Sequence, residues 1–136
     1  MFVPDTMQAT DLFDLSGKVA LVTGGTRGIG KANAEGLAPA GANVAIANRK
    51  LDNCEAAGSE IAAATGRRVV PLACHVGRWQ DCDCLVDAVY REFGRCDVLV
   101  NNAGMSPAYR DLASVSEDLY DKLTPSTPRD RSASVP

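Results

Sequence analysis

Four short apolar runs, separated by three stretches of helical composition, set the strongest limit on what this chain can fold into. The runs are Lys18–Thr23 (KVALVT), Asn43–Ala47 (NVAIA), Arg68–Cys74 (RVVPLAC) and Asp97–Val100 (DVLV). Between them lie Gly28–Leu37, Leu51–Thr65 and Trp79–Phe93, and Gly66 and Gly94 stop the second and third helices. The third has the clearest period, with Cys82, Leu85, Val86, Val89 and Phe93 on one stripe. A further helix is expected to begin at Ser116–Leu123. Because the runs are continuously apolar rather than alternating, they read as parallel strands buried on both faces. Right-handed crossovers then give a doubly wound α/β sheet. Three residues fit this pattern poorly. Pro71 removes a ladder donor from the third run. Pro39 is expected in the last turn of the first helix, where its ring is disfavoured. Asn33 occupies a helix face that the pattern would make apolar.

A chain of 136 residues, 46% hydrophobic and 23% charged, is long and apolar enough for a packed core. Its net charge of -3 argues against a nucleic-acid or anionic-membrane partner. No apolar run approaches the roughly 20 residues that span a bilayer. The N-terminus carries Asp5, Asp11 and Asp14 without a basic segment, so no secretory signal is expected, and Met7 offers an alternative start. The five cysteines lack a CxxC spacing and His75 is the single histidine, which is a poor zinc set. Reduced thiols and a cytoplasmic location are expected.

The link between the first strand and first helix, VTGGTRGIGKA, places Gly24, Gly25, Gly28 and Gly30 within a few residues. A diphosphate needs backbone N–H groups close to its oxygens at a helix N-terminus, and side chains at the turn would block that approach. Gly25-x-x-x-x-Gly30-Lys31 nearly forms a P-loop, but Ala32 stands where such a loop needs a hydroxyl for Mg²⁺. The fourth run ends in Asn101 and Asn102 instead of an acid that would hold the metal. A dinucleotide is the better reading.

Thr23-Gly24-x-x-x-Gly28-x-Gly30 after the first strand and Asn101-Asn102-Ala103-Gly104 after the fourth together resemble the short-chain dehydrogenase/reductase family, from about Leu15 to Leu123. The resemblance implies a Rossmann-like sheet and an NAD(P)-dependent oxidoreductase. Gly24, Gly28, Ile29 and Gly30 would hold the pyrophosphate. The end of the second strand sorts the cofactors, because an acid there accepts the ribose hydroxyls of NAD and repels a 2′-phosphate. Here Asn48, Arg49 and Lys50 occupy that end and Arg27 lies in the glycine loop, so NADP(H) is favoured over NAD(H). His75-Val76 replaces the family's Asp-Val pair beside the adenine, and His75 is either a partner for the adenine edge or a spectator. Asn101 would bond across strands, while Ala103 and Gly104 would let the backbone approach the ribose.

In this family a Tyr in YxxxK exchanges the substrate proton, with the Lys lowering its pKa, a Ser orienting the substrate and an Asn completing a water relay. Tyr90, Tyr109 and Tyr120 are followed four residues on by Gly94, Ala113 and Thr124, and neither Ser106 nor Ser116 lies in the catalytic region. The expectation is therefore a sheet truncated after the fourth strand and the start of the next helix, with no catalytic residue in the chain. Residues 1–14 read as an extension, 15–123 as a partial dinucleotide-binding domain and 124–136 as a disordered tail with three prolines. Shifting the codons of the tail by one base permits Ala-Val-Asn-x-Lys-Gly-Pro-Phe-Arg-Leu-Ser, which resembles the family's next helix. A frameshift after about Leu123 is the corresponding expectation. Two functions follow from this reading: an oxidoreductase by descent, whose full-length relatives are homo-oligomers, or a non-catalytic nucleotide-binding fragment.

Overall fold

A computed structural model describes residues 11–104 and 115–123. The chain divides into two compact units, 1–103 and 104–136. The expected extension 1–14 lies mostly outside the described residues, and the tail 124–136 lies wholly outside, as do Ser106 and Tyr109.

In the first unit, a 3₁₀ turn at Asp11–Phe13 precedes β1 (Val19–Thr23), α1 (Gly28–Leu37), β2 (Asn43–Asn48), α2 (Leu51–Thr65), β3 (Val69–Ala73), α3 (Trp79–Phe93) and β4 (Val98–Val100). The strands form one parallel sheet in the order β3-β2-β1-β4. The chain moves outward from β1 to β3, then α3 carries it back to place β4 on the other side of β1. The C-terminal ends of β1 and β4 thus flank the point where the winding reverses, the place where open α/β sheets bind ligands.

Alternation along the strands builds two cores. Ala20 and Val22 of β1, with Val44 and Ile46 of β2, pack against Ala34 and Ala38 near α1 and Cys54, Ala57 and Ile61 of α2. Val19, Leu21, Ala45 and Ala47 point the other way, toward Leu85 and Val89 of α3. The alanines and Gly30 keep α1 close to the sheet, which brings its N-terminus near the end of β1. Both central strands are buried as expected, but β3 and β4 are only half-buried. Each pairs with a neighbour on one side only among the described residues.

Several local expectations are adjusted. Pro39 lies beyond the last turn of α1, because the helix ends at Leu37 and Ala38 caps it with an N–H bond to Ala34 O. Pro71 costs little for a related reason. Val44 N donates to Arg68 O and Cys74 N to Asn48 O, so even-numbered residues of β3 face β2 and Pro71 turns its nitrogen outward. On α3, Val86 departs from the predicted buried stripe: it is half exposed, rotated with Tyr90 toward the surface. Gly66 and Gly94 close α2 and α3 in the left-handed conformation that glycine favours.

In the second unit, α4 spans Glu117–Leu123. Ser116 opens it, its hydroxyl oxygen accepting a bond from Leu119 N at 3.2 Å, which is an N-terminal cap.

Candidate cofactor site

The site forms around the C-terminal end of β1. Thr23 is buried there, and its hydroxyl does three things. It donates to Val100 O at 3.1 Å and accepts from the backbone N–H groups of Asn102 and Ala103, each at 3.1 Å. The amide of Asn102 completes the join by donating to Thr23 O at 3.0 Å and Gly24 O at 3.3 Å. The two sequence motifs are therefore a single hydrogen-bonded structure, 77 to 80 residues apart along the chain.

This corrects one residue assignment. Asn101 was expected to bond across strands, yet the residue that does so is Asn102, while Asn101 is exposed and lines an apolar groove. The reason is the turn just after β4: Asn102 N donates to Val100 O as well as to Thr23 Oγ1, each at 3.1 Å, and this turn brings the Asn102 amide onto the end of β1. Ala103 has its backbone held against Thr23, and Gly104 begins the second unit.

Close approach dictates glycine at position 30. A Cβ added there would sit 2.2 Å from Gly24 O and 2.4 Å from Asn102 Nδ2. At Gly24 an added Cβ would meet Asn102 Nδ2 at 2.9 Å. The bare turn thus leads straight into α1, whose N-cap Arg27 makes no side-chain capping bond and whose first turn carries no acid. The opening N–H groups at Gly28, Ile29 and Gly30 are left for an external anion, and the positive end of the helix dipole favours one. Ile29 is 76% exposed on this rim. A diphosphate fits this cradle in both shape and charge.

The cationic part of the site lies at the end of β2. Asn48 Nδ2 donates to Thr26 Oγ1 at 2.6 Å, tying the strand end to the glycine loop. Arg27 follows Thr26 and Arg49 follows Asn48, so this bond brings the neighbourhoods of the two arginines together. Arg27, Arg49 and Lys50 are all exposed. The participation of Thr26 was not read from the sequence.

His75 and Val76 sit at the end of β3. Asp81 Oδ2 accepts a bond from His75 N at 3.1 Å, and His75 Nδ1 accepts one from Gly77 N at 3.1 Å. With Nδ1 accepting, Nε2 is the ring nitrogen left to donate. Val76 is half exposed and lines, with Leu85, Val86, Tyr90, Leu99 and Asn101, a groove of about 460 Å³ between α3 and β4. The five cysteines are free thiols, and Cys74 behind His75 is pushed up to about 11 by burial, with Cys82 adding to the effect. Among the described residues no group of three or more His, Cys, Asp or Glu is placed to hold a metal ion, and no helix is long and apolar enough to cross a membrane.

A parallel sheet with a glycine-lined cradle at its reversal point defines a Rossmann-like dinucleotide-binding architecture. The chain belongs to the short chain dehydrogenase family, whose pattern it matches over residues 18–124. It is 40% identical over 109 residues to the dehydrogenase/reductase SDR family member 4 of Oryctolagus cuniculus, covering 80% of this chain and 42% of that protein. It is also similar to a short-chain type dehydrogenase/reductase from Mycobacterium marinum, at 36% identity and a TM-score of 0.79, over 84% of this chain and 44% of the other. A metagenomic short-chain oxidoreductase solved in complex with NADP matches at 38% identity and a TM-score of 0.73, over 80% of this chain and 49% of its own. The chain thus spans less than half the length of each of these relatives.

Proposed function

We propose that residues 15–104 form the adenosine-diphosphate half of an NADP(H) site in an oxidoreductase of the short-chain type. The bound dinucleotide would supply hydride transfer between its nicotinamide and a carbonyl or alcohol carbon. The observation that carries this reading is the cradle at the start of α1, with no capping side chain or acid of its own and with Arg27, Arg49 and Lys50 around it. Gly24, Gly28, Ile29 and Gly30 would present the backbone to the pyrophosphate. Arg27 and Arg49 would clamp a 2′-phosphate, with Lys50 adding charge. Asn48, unlike an acid, has no charge to repel that phosphate. Val76 would contact the adenine, with the Nε2–H of His75 a donor to its edge. Asn101, Ala103 and Gly104 would face the ribose and nicotinamide side. The complex of the metagenomic relative with NADP supports the same cofactor class.

The 136 residues contain no YxxxK, because Tyr90, Tyr109 and Tyr120 each lack a lysine four positions on. This favours binding without turnover by these residues alone, since the Tyr and Lys of that motif are what moves the substrate proton in this family. Titration of the full chain with NADPH and NADH tests the reading. NADPH is expected to bind more tightly, and Arg49→Ala to weaken it by about tenfold or more while sparing NADH, given roughly 1.5–3 kcal/mol for a charged hydrogen bond. Equal affinity for the two coenzymes would refute the preference. Coenzyme-dependent carbonyl reduction by the pure chain would refute the absence of turnover.

A further inference from the structure

Cys74 and Cys82 lie together where β3 hands over to α3. Cys74 is the first residue after β3 and is 4% exposed, in the core between the sheet and α3. Cys82 stands near the start of α3 and packs against the same core. The Cys74 thiol donates to Asp81 O, with sulfur and oxygen 3.7 Å apart, and the Cys82 thiol to Val76 O at 3.6 Å. Each sulfur therefore leans on backbone close to the other cysteine, and the loop 75–81 runs between them. Access differs. Cys82 is half-buried and lines the groove between α3 and β4, where a small solute can reach it, whereas Cys74 is covered. Cys84 is exposed, and residues two apart on a helix do not face each other, so Cys82 and Cys84 are a poor pair.

We propose that Cys74 and Cys82 are a redox-responsive pair, which hydrogen peroxide converts into a disulfide tying the end of β3 to the start of α3. Cys82, reached through the groove, attacks one peroxide oxygen as its thiolate. The O–O bond breaks, Cys82 becomes a sulfenic acid, and the other oxygen leaves as water. The Cys74 sulfur then attacks the sulfenic sulfur. An S–S bond forms, the S–O bond breaks, and the Cys74 proton leaves with the hydroxyl as a second water. Two thiols are oxidised to one disulfide while one peroxide is reduced to two waters. Burial pushes the Cys74 thiol up to about 11, with Cys82 close enough to add to the effect, so Cys74 stays protonated and resolves the sulfenic acid instead of starting the reaction. The proposal does not depend on the coenzyme reading, although the loop that the bond would close carries His75 and Val76.

The test uses the full chain carrying Cys84→Ser, which removes the exposed competitor and leaves the pair intact. The folded, reduced chain is treated with hydrogen peroxide, then unfolded, alkylated with iodoacetamide and digested with trypsin without reductant. Cleavage after Arg68, Arg78 and Arg91 puts Cys74 on the peptide 69–78 and Cys82 on the peptide 79–91. The expected product is these two peptides joined, separable by dithiothreitol, with loss of alkylation at both cysteines. Adding Cys82→Ser should leave Cys74 fully alkylated, since a covered thiol without its neighbour has nothing to resolve. Unfolding the chain in urea before the peroxide should abolish the preference of Cys82 for Cys74 over Cys96, because that preference comes from the fold. Absence of the joined peptides from the folded chain would overturn the proposal, whether Cys82 stays reduced, proceeds to the sulfinic acid or pairs with Cys96. So would the same preference in the folded and unfolded chains. Cys84→Ala serves by the same criteria if the serine variant does not fold.

Discussion

Replacing Gly30 by Ala tests the joint between the two halves of the site. The new Cβ would lie 2.2 Å from Gly24 O and 2.4 Å from Asn102 Nδ2. The first is more than an ångström inside the roughly 3.5 Å at which nonbonded heavy atoms attract. Neither neighbour yields cheaply: one is backbone at the end of β1, and the other is an amide held by Thr23 O and Gly24 O. Overpacking of this kind costs about 1–3 kcal/mol. Displacing Asn102 removes two hydrogen bonds, each roughly 0.5–1.5 kcal/mol. The sum is about 2–6 kcal/mol, a large part of the roughly 5–15 kcal/mol that keeps a typical domain folded. Gly36→Ala is the matched control: it lies in the same helix, nothing stands within 4 Å of its added Cβ, and helix propensity favours alanine by about 0.5–1 kcal/mol. Urea unfolding followed by far-ultraviolet circular dichroism measures both. Fluorescence is a weak reporter because the one tryptophan, Trp79, is 87% exposed. A Gly30→Ala variant within about 1 kcal/mol of the parent would refute the reasoning, since the change would then behave as an ordinary surface substitution.

Two further predictions concern titration and thiol chemistry. Asp97 is held below the usual carboxylate range, first by its bond to Arg95 and then by the bond it accepts from Val19 N, 2.8 Å away. A depressed folded-state pKa adds stability that is present above the unfolded value near 4 and is lost as the pH falls through the folded one. Asp97→Asn is therefore expected to flatten the acid limb of a melting-temperature profile below about pH 4, and an unchanged limb would count against the pair. Burial raises the Cys74 thiol to about 11 and it is nearly covered by protein, whereas Cys84 is exposed. Iodoacetamide labelling of the folded chain should modify Cys84 well before Cys74, read by peptide mass spectrometry; equal rates would contradict the packing of the loop after β3.

Much of the fold was legible because its signals are local. The three long helices begin and end where glycine stops and apolar periods place them, and the strands fall within a residue of the apolar runs. What the sequence left open depends on contacts between distant segments. Val86 has the same character as Leu85 and Val89, and only the rotation of α3 against the sheet decides that it faces outward. Asn101 and Asn102 are identical in type, and which one turns toward β1 depends on the register of β4, with Ala20 opposite Val98 and Val22 opposite Val100. Thr26 and Asn48 are 22 residues apart, and either would pass alone as an ordinary turn or strand-end residue. A bond between them needs α1 packed closely enough on the sheet to bring the loop to β2. That closeness comes from Ala34, Ala38 and Gly30, small residues whose value lies in what they allow others to reach. The small residues in and just after α1 thus connect core packing to the bond between Thr26 and Asn48. Enlarging this interface would be expected to disturb the polar junction at the mouth of the site as well as the core beneath it.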